Sequence, residues 1–421
     1  MRTLRQFGNF WILWVAMIVL ACSGDAMAAQ IRYEVTDLGS LANDNASCAM
    51  TLNDQGQTAL QDWSTIPGKQ DSLSQPLNAR DAIMIDGTQY DLGTLGGENS
   101  FMNWGEINAR GQVVGYSESN IPDPNGEDVC GFGTNKICLP FVWRDFYMEA
   151  LPTLGGNNGQ ASAINNRGEI AGTAETPVAD PGCPTHLTSS PVLWQKSEPH
   201  ALPTVDGDQD GEAFWINDQG QAVGQTSNCS HSISHAVTWT KGGAASALPD
   251  HKHGAIAWGN NDRGQIVGSV GSPDGSTQYP ALWENDTLTS FRLLPGDLGG
   301  IASGINDRGQ VVGSTWDSHP NWAHAFIVQD GVLVDLNTLI ASSSNLFLTM
   351  ANKINGRGQI GAMGIVVRGP DKGNVHAVLL TPIYETSGRS VADDVPIRPR
   401  SNGPANLGQF LQRLRLGRTG R

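Results

Sequence analysis

Apolar residues in this chain come in short runs, four to six long, cut off each time by Gly, Asn, Asp or Pro. Runs of that length cannot sustain helices, and their β-branched and aromatic content predicts strands throughout. Four kinds of run recur in fixed order. The first ends at an Asn, as in "QASAIN" (160–165) and "IASGIN" (301–306). The second follows a Gly, as in "QVVG" (112–115) and "QIVG" (265–268). The third is "PFVW" (140–143), "PVLW" (191–194), "HAVTW" (235–239) or "PALW" (280–283). The fourth carries a Leu-rich signature, "DLGTLGG" (91–97) or "LPTLGG" (151–156).

Between the first and second runs lies a tetrad that begins with Asn, ends with Gly and is followed by Gln or Glu. It occurs seven times, at Asn53-Gly56, Asn108-Gly111, Asn165-Gly168, Asn217-Gly220, Asn261-Gly264, Asn306-Gly309 and Asn355-Gly358. A type I turn needs a left-handed residue after it, where Gly has no Cβ to clash, and the Asn side chain can accept the backbone N–H two residues on. The tetrad therefore reads as a hairpin turn. Four positions before each Asn stand Ala49, Trp104, Ala161, Ala213, Ala257, Ala302 and Ala351, small side chains in six cases of seven, as crowding of innermost strands around an axis would require.

The repeat length, about 50 residues, is that of a four-stranded propeller blade. Seven repeats over residues 30–382 predict an all-β, seven-bladed β-propeller. No Leu-rich fourth run follows the seventh turn, but "YEVTDLGSL" (33–41) carries that signature ahead of the first turn. The N-terminal strand is thus expected to complete the last blade and remove an exposed sheet edge.

Ends and composition add localisation. Arg2, Arg5, an apolar run over 10–21 that is too short to span a bilayer, and Ala26-Met27-Ala28 read as an export signal over residues 1–28. A second reading makes Cys22 an acylated lipoprotein cysteine. Residues 383–421 carry seven Arg among Pro, Gly and Ser and read as a flexible basic tail. Residues 30–382 carry 37 acidic and 17 basic side chains, which disfavours nucleic acid as a partner. An extracellular polysaccharide or protein ligand is the expected partner.

With "INARGQVVG", "INDRGQVVG" and "INNRGEIAG" followed by "HAFIV", "HAVLL" and "DLGTLGG", residues 33–382 resemble the HAF-type extracellular repeat family of bacterial proteins. That resemblance implies export and a repeat fold; it implies no reaction and carries over no catalytic residue. His235, His324 and His376 match the motif's His and read as strand-end hydrogen-bonding groups.

Candidate chemistry is sparse. In "DGDQDGE" (206–212), Asp206, Asp208, Asp210 and Glu212 match the first half of a calcium loop, so Ca2+ is the one cofactor considered; the position expected to hold a bidentate Glu is Asn217. His251 and His253 form a second, weaker chelating pattern. Cysteine spacing suggests disulfides Cys130–Cys138 and Cys183–Cys229, with Cys48 buried. The turns share one face with the short connections, and length variation gathers on the other, so binding is expected on the variable loops or a channel mouth. The leading reading is an exported binding or scaffold module. The alternative is a carbohydrate-active enzyme using channel carboxylates such as Glu98, Glu106 or Glu212.

Overall fold

A computed structural model describes residues 31–39, 46–64, 78–102, 106–179, 187–205, 207–228, 234–250, 253–317 and 323–384. These residues are all-β apart from one 3-10 turn, Leu336–Thr338. Five antiparallel sheets have four strands each, and every one runs in chain order from its first strand to its fourth. One of them consists of Gly159–Ile164, Ile170–Ala179, Leu187–Gln195 and Glu198–Ala201. An eight-stranded sheet holds the rest. In it Leu346–Ile354, Ile360–Val366 and Val375–Tyr384 pair in order, and Ile31–Gly39 lies antiparallel on Val375–Tyr384. Ala46–Leu52, Thr58–Ser64, Asn78–Ile85 and Thr88–Asp91 join these through a single parallel bridge, Ala46 to Val375. The architecture is propeller-like, with first strands of most successive sheets touching one another.

All seven expected turns form. Each Gly donates its N–H to the Asn carbonyl at 2.9–3.1 Å, with φ between +71° and +86°. Just before six of the turns the first strand carries an irregularity that the sequence did not announce. The pairing slips by one residue after Ala49, Ala161, Ala213, Ala257, Ala302 and Ala351. Opposite Ala161, Ala213, Ala257 and Ala302 stands a second-strand glycine, where Ala49 and Ala351 face Leu60 and Ala362. A Cβ on Gly172, Gly224 or Gly268 would lie 2.0 Å from the carbonyl oxygen of Gln160, Glu212 or Ile256. The bulge and the glycine are one device, which brings the two backbones too close for any side chain.

The Leu-rich signature is not the fourth strand. Those strands precede it, as Thr88–Asp91 and Tyr147–Ala150, and the signature forms the connector to the next sheet. Its glycines explain this, since Gly96 and Gly155 have φ of +109° and +106° and interrupt a ladder. Its leucines still enter the core: Leu92 and Leu151 are buried and donate their N–H groups to Asp81 and Pro140 carbonyls. Connectors also latch neighbouring sheets. The indoles of Trp194, Trp239 and Trp283 donate to the carbonyls of Pro152, Pro203 and Pro249 at 2.7–2.8 Å. These three tryptophans are among the largest fully buried side chains, so each indole N–H needs that partner.

On the other face, strands Val113–Pro122 and Lys136–Arg144 run long and are joined by residues 123–135. Cys130 and Cys138 are disulfide-bonded there, with Cα atoms 5.3 Å apart, while Cys183 and Cys229 lie outside the described residues. Cys48 is a buried thiol, pushed up to about 12 by burial and held by the Asn352 amide at 3.0 Å.

Candidate functional site

Each tetrad Asn is buried and fully used. Its Oδ1 accepts the N–H groups two and four residues on, at 2.9–3.1 Å, as in Arg308 and Gln310 on Asn306. Its Nδ2 donates to the carbonyl of the next tetrad Asn, at 2.8–3.2 Å, from Asn53 to Asn108 and onward to Asn355. Asn355 in turn donates to Asn53, so the series returns to its start. Outside it runs a second series, in which Asn166, Asp218, Asp262, Asp307 and Asp54 each accept the N–H of the residue at the same position in the preceding turn, at 2.6–2.9 Å. It lapses where the acceptor would be Ala109 or Gly356, neither of which has a polar side chain.

All seven turns enclose a cavity of about 150 Å³. The residues two places before the Asn are Thr51, Glu106, Ala163, Trp215, Gly259, Gly304 and Lys353. Four are small, and three large ones converge. Lys353 Nζ lies 3.5 Å from Glu106 Oε1 and 3.0 Å from the centre of the Trp215 ring. The two charged side chains are 12 % and 20 % exposed. Burial pushes Glu106 up to about 7, opposed by the Lys353 ammonium and reinforced by Asp218 and Asp262. Burial also lowers Lys353, against the pull of Glu106, Asp307 and Asp54. Asp54, Asp218, Asp262 and Asp307 edge the mouth, and Asp262 is raised by burial and then by its like-charged neighbours Asp307 and Asp218. Asn260, 3 % exposed, lines the cavity where five other turns place Ile, and its Oδ1 has no hydrogen-bond partner. The arrangement is a cation box, with an aromatic face, a carboxylate and an acidic rim.

No protein-family model matches the chain, and no curated protein matches it. Among solved structures it is similar to the β-propeller domain of the Trilobed protease from Pyrococcus furiosus, with 9 % identity, TM-score 0.47, and coverage of 86 % of this chain and 99 % of that one. It is also similar to a streptogramin B lyase, with 7 % identity, TM-score 0.47, and coverage of 84 % and 98 %.

The acids of the calcium-like loop are engaged with protein groups. Asp208 Oδ2 meets His235 Nδ1 at 2.9 Å and accepts from the Thr226 hydroxyl at 2.6 Å. Asp297 holds His324 and Thr315 at the same sequence offsets, and Asp37 holds His376, so this Asp–His pair is a recurrent strand latch. Asp210 accepts the Ser189 N–H of the preceding sheet, as Asn99 and Asn158 accept those of Ala79 and Cys138. Glu212 accepts from Ser162 on the adjacent first strand. Asp206 and His251 lie outside the described residues. Among the described residues no group of three or more His, Cys, Asp or Glu is placed to hold a metal ion. Of the channel carboxylates, Glu98 is exposed on a connector, and Glu106 alone enters the cavity.

Proposed function

We propose that this chain is an exported seven-bladed propeller of the HAF-repeat kind, closed by its N-terminal strand, that binds a small cationic ligand at the axial cavity on its turn face. Residues 30–382 form the propeller, 1–28 the export signal and 383–421 a tail. The Asn355-to-Asn53 hydrogen bond and the pairing of Ile31–Gly39 with Val375–Tyr384 support the closure. A disulfide between Cys130 and Cys138 suits an oxidising compartment. No described helix is long and apolar enough to cross a membrane.

One observation carries the ligand class. The cavity already holds an ammonium, that of Lys353, against Trp215 and Glu106, and four further carboxylates edge its mouth. A protonated amine entering there meets negative potential in a partly desolvated site, where such contacts are strongest. A glycosidase would need two facing carboxyl groups. The nearest charged partner of Glu106 is a lysine, which favours binding over that chemistry.

Calorimetric titration of the full chain with pentylamine tests the reading. Saturable binding is expected, weakened about tenfold by Asp262→Asn with Asp307→Asn, since Asn keeps the Oδ1 acceptor and removes the charge. Absence of binding, or binding indifferent to those substitutions, refutes it.

A further inference from the structure

The third residue of five turns is an arginine: Arg110, Arg167, Arg263, Arg308 and Arg357. Each guanidinium reaches over the glycine of the next turn. A Cβ at Gly168, Gly220, Gly358 or Gly56 would stand 2.6–2.9 Å from Nη2 of Arg110, Arg167, Arg308 or Arg357, and at Gly309 3.7 Å from Arg263. The missing side chain therefore admits an arginine as well as permitting the turn. All five are exposed. Arg167 is paired with Glu169, and Arg263 donates to the Asp307 carbonyl. Arg110, Arg308 and Arg357 make no ion pair among the described residues.

Two turns carry both groups side by side, Asp262-Arg263 and Asp307-Arg308, while Asp54 and Asp218 precede glutamines and Arg110, Arg167 and Arg357 follow Ala, Asn and Gly. Carboxylates thus edge the mouth in four turns and guanidiniums stand beyond its lining in five, two partial rings on the same face. A simple cation gains from the first ring and is repelled by the second. A molecule bearing an ammonium at one end and an acid group at the other satisfies both, because arginine recognises carboxylate and phosphate through paired N–H donors. Asn260 adds a buried acceptor on the cavity wall suited to an ammonium donor.

We propose that the ligand is a zwitterion, with its ammonium in the cavity mouth and its acid group on the arginine collar. This rests on the cation-binding reading of the same cavity. The test titrates the full chain with three probes: pentylamine, hexanoate and 6-aminohexanoate. The zwitterion is expected to bind at least about tenfold more tightly than pentylamine, with hexanoate not binding. In Arg308→Gln with Arg357→Gln the zwitterion should fall to the level of pentylamine, while Arg308→Lys with Arg357→Lys, which keeps the charge, should retain part of the advantage. If pentylamine binds as tightly as the zwitterion, or the Gln variants leave their ratio unchanged, the collar has no such role and the cation site stands. If hexanoate matches 6-aminohexanoate, the zwitterion proposal fails because the acid group alone is recognised. If no probe binds, both readings fall.

Discussion

The Asn355 side-chain amide donates to the Asn53 carbonyl at 3.0 Å, across a sequence separation of 302 residues. It is the same bond that links Asn306 to Asn355, at 2.8 Å, yet it joins the two ends of the repeat array. Asn355→Ala and Asn306→Ala should therefore cost alike. Each strands two part-buried N–H groups and removes two donated bonds, for a loss of about 2–4 kcal/mol. Urea unfolding of the two variants checks it, and a neutral Asn355→Ala would mean that the link between the ends contributes nothing.

Gly268→Ala should be worse than any substitution on the surface. Its Cβ would lie 2.0 Å from the Ile256 carbonyl oxygen, a backbone atom that cannot swing aside. A loss above about 3 kcal/mol is expected, read as a fall in melting temperature. Gly207→Ala offers a comparison in which no atom lies within 4 Å of the added Cβ, so that only its φ of +82° opposes the substitution.

The pair in the cavity gives a pH signature. Glu106 stands at about 7 in the folded chain against 4.5 for the free group, so the folded state holds more protons between those values. Its contribution to stability is complete below about 4.5 and is lost as pH rises through about 7. Lys353 is lowered from 10.5, so the unfolded chain holds more protons in the window just below that value, and stability recovers as pH rises through it. Glu106→Gln should remove the decline between pH 4.5 and 7, and melting curves across that range would reveal it.

Lys353→Met should tighten amine binding. The resident ammonium leaves the Trp215 face, and a ligand ammonium can take its place beside Glu106. A gain of about tenfold fits a partly desolvated cation–π contact. Trp215→Ala in the same background should reverse it, as measured by pentylamine titration.

His376 and Asp37 join Val375–Tyr384 to Ile31–Gly39 at 2.9 Å, and the Asp37 hydrogen bond raises His376 above 6.5. That contribution is complete below 6.5 and disappears as pH rises past the raised value. Hydrogen exchange should show Ile31–Gly39 opening faster at higher pH, with a larger change than in Gly159–Ile164. Asp37→Asn should abolish the difference.

Turn chemistry was legible in the chain because Asn and Gly have conformational roles that no other pair fills, and seven copies gave the strand order. The bulges were not, because a one-residue slip leaves no mark in the alternation of apolar positions. A channel mouth with Glu106 among its carboxylates was legible, but the convergence of Lys353 and Trp215 on it was hidden for a related reason. Its working side chains, Glu106, Trp215 and Lys353, share a register position otherwise held by Thr51, Ala163, Gly259 and Gly304, and no local pattern marks that place. Reading down the column two residues before each Asn would have exposed it, since three large side chains stand among four small ones. The arginines were visible as turn residues, but their reach over the next glycine depends on how the sheets stand against each other. Turns that read as scaffold thus line the candidate cavity.

The pairing of Ile31–Gly39 with Val375–Tyr384 also fixes an order in time. The strand made near the start of synthesis must wait for the last one before it has a partner, and throughout that interval Val375–Tyr384 is absent as its template. An unpaired edge is what draws chains into aggregates. The nascent chain therefore carries this strand as a liability from the outset, and the yield of folded protein should depend on how well that first segment is shielded until the final strand emerges.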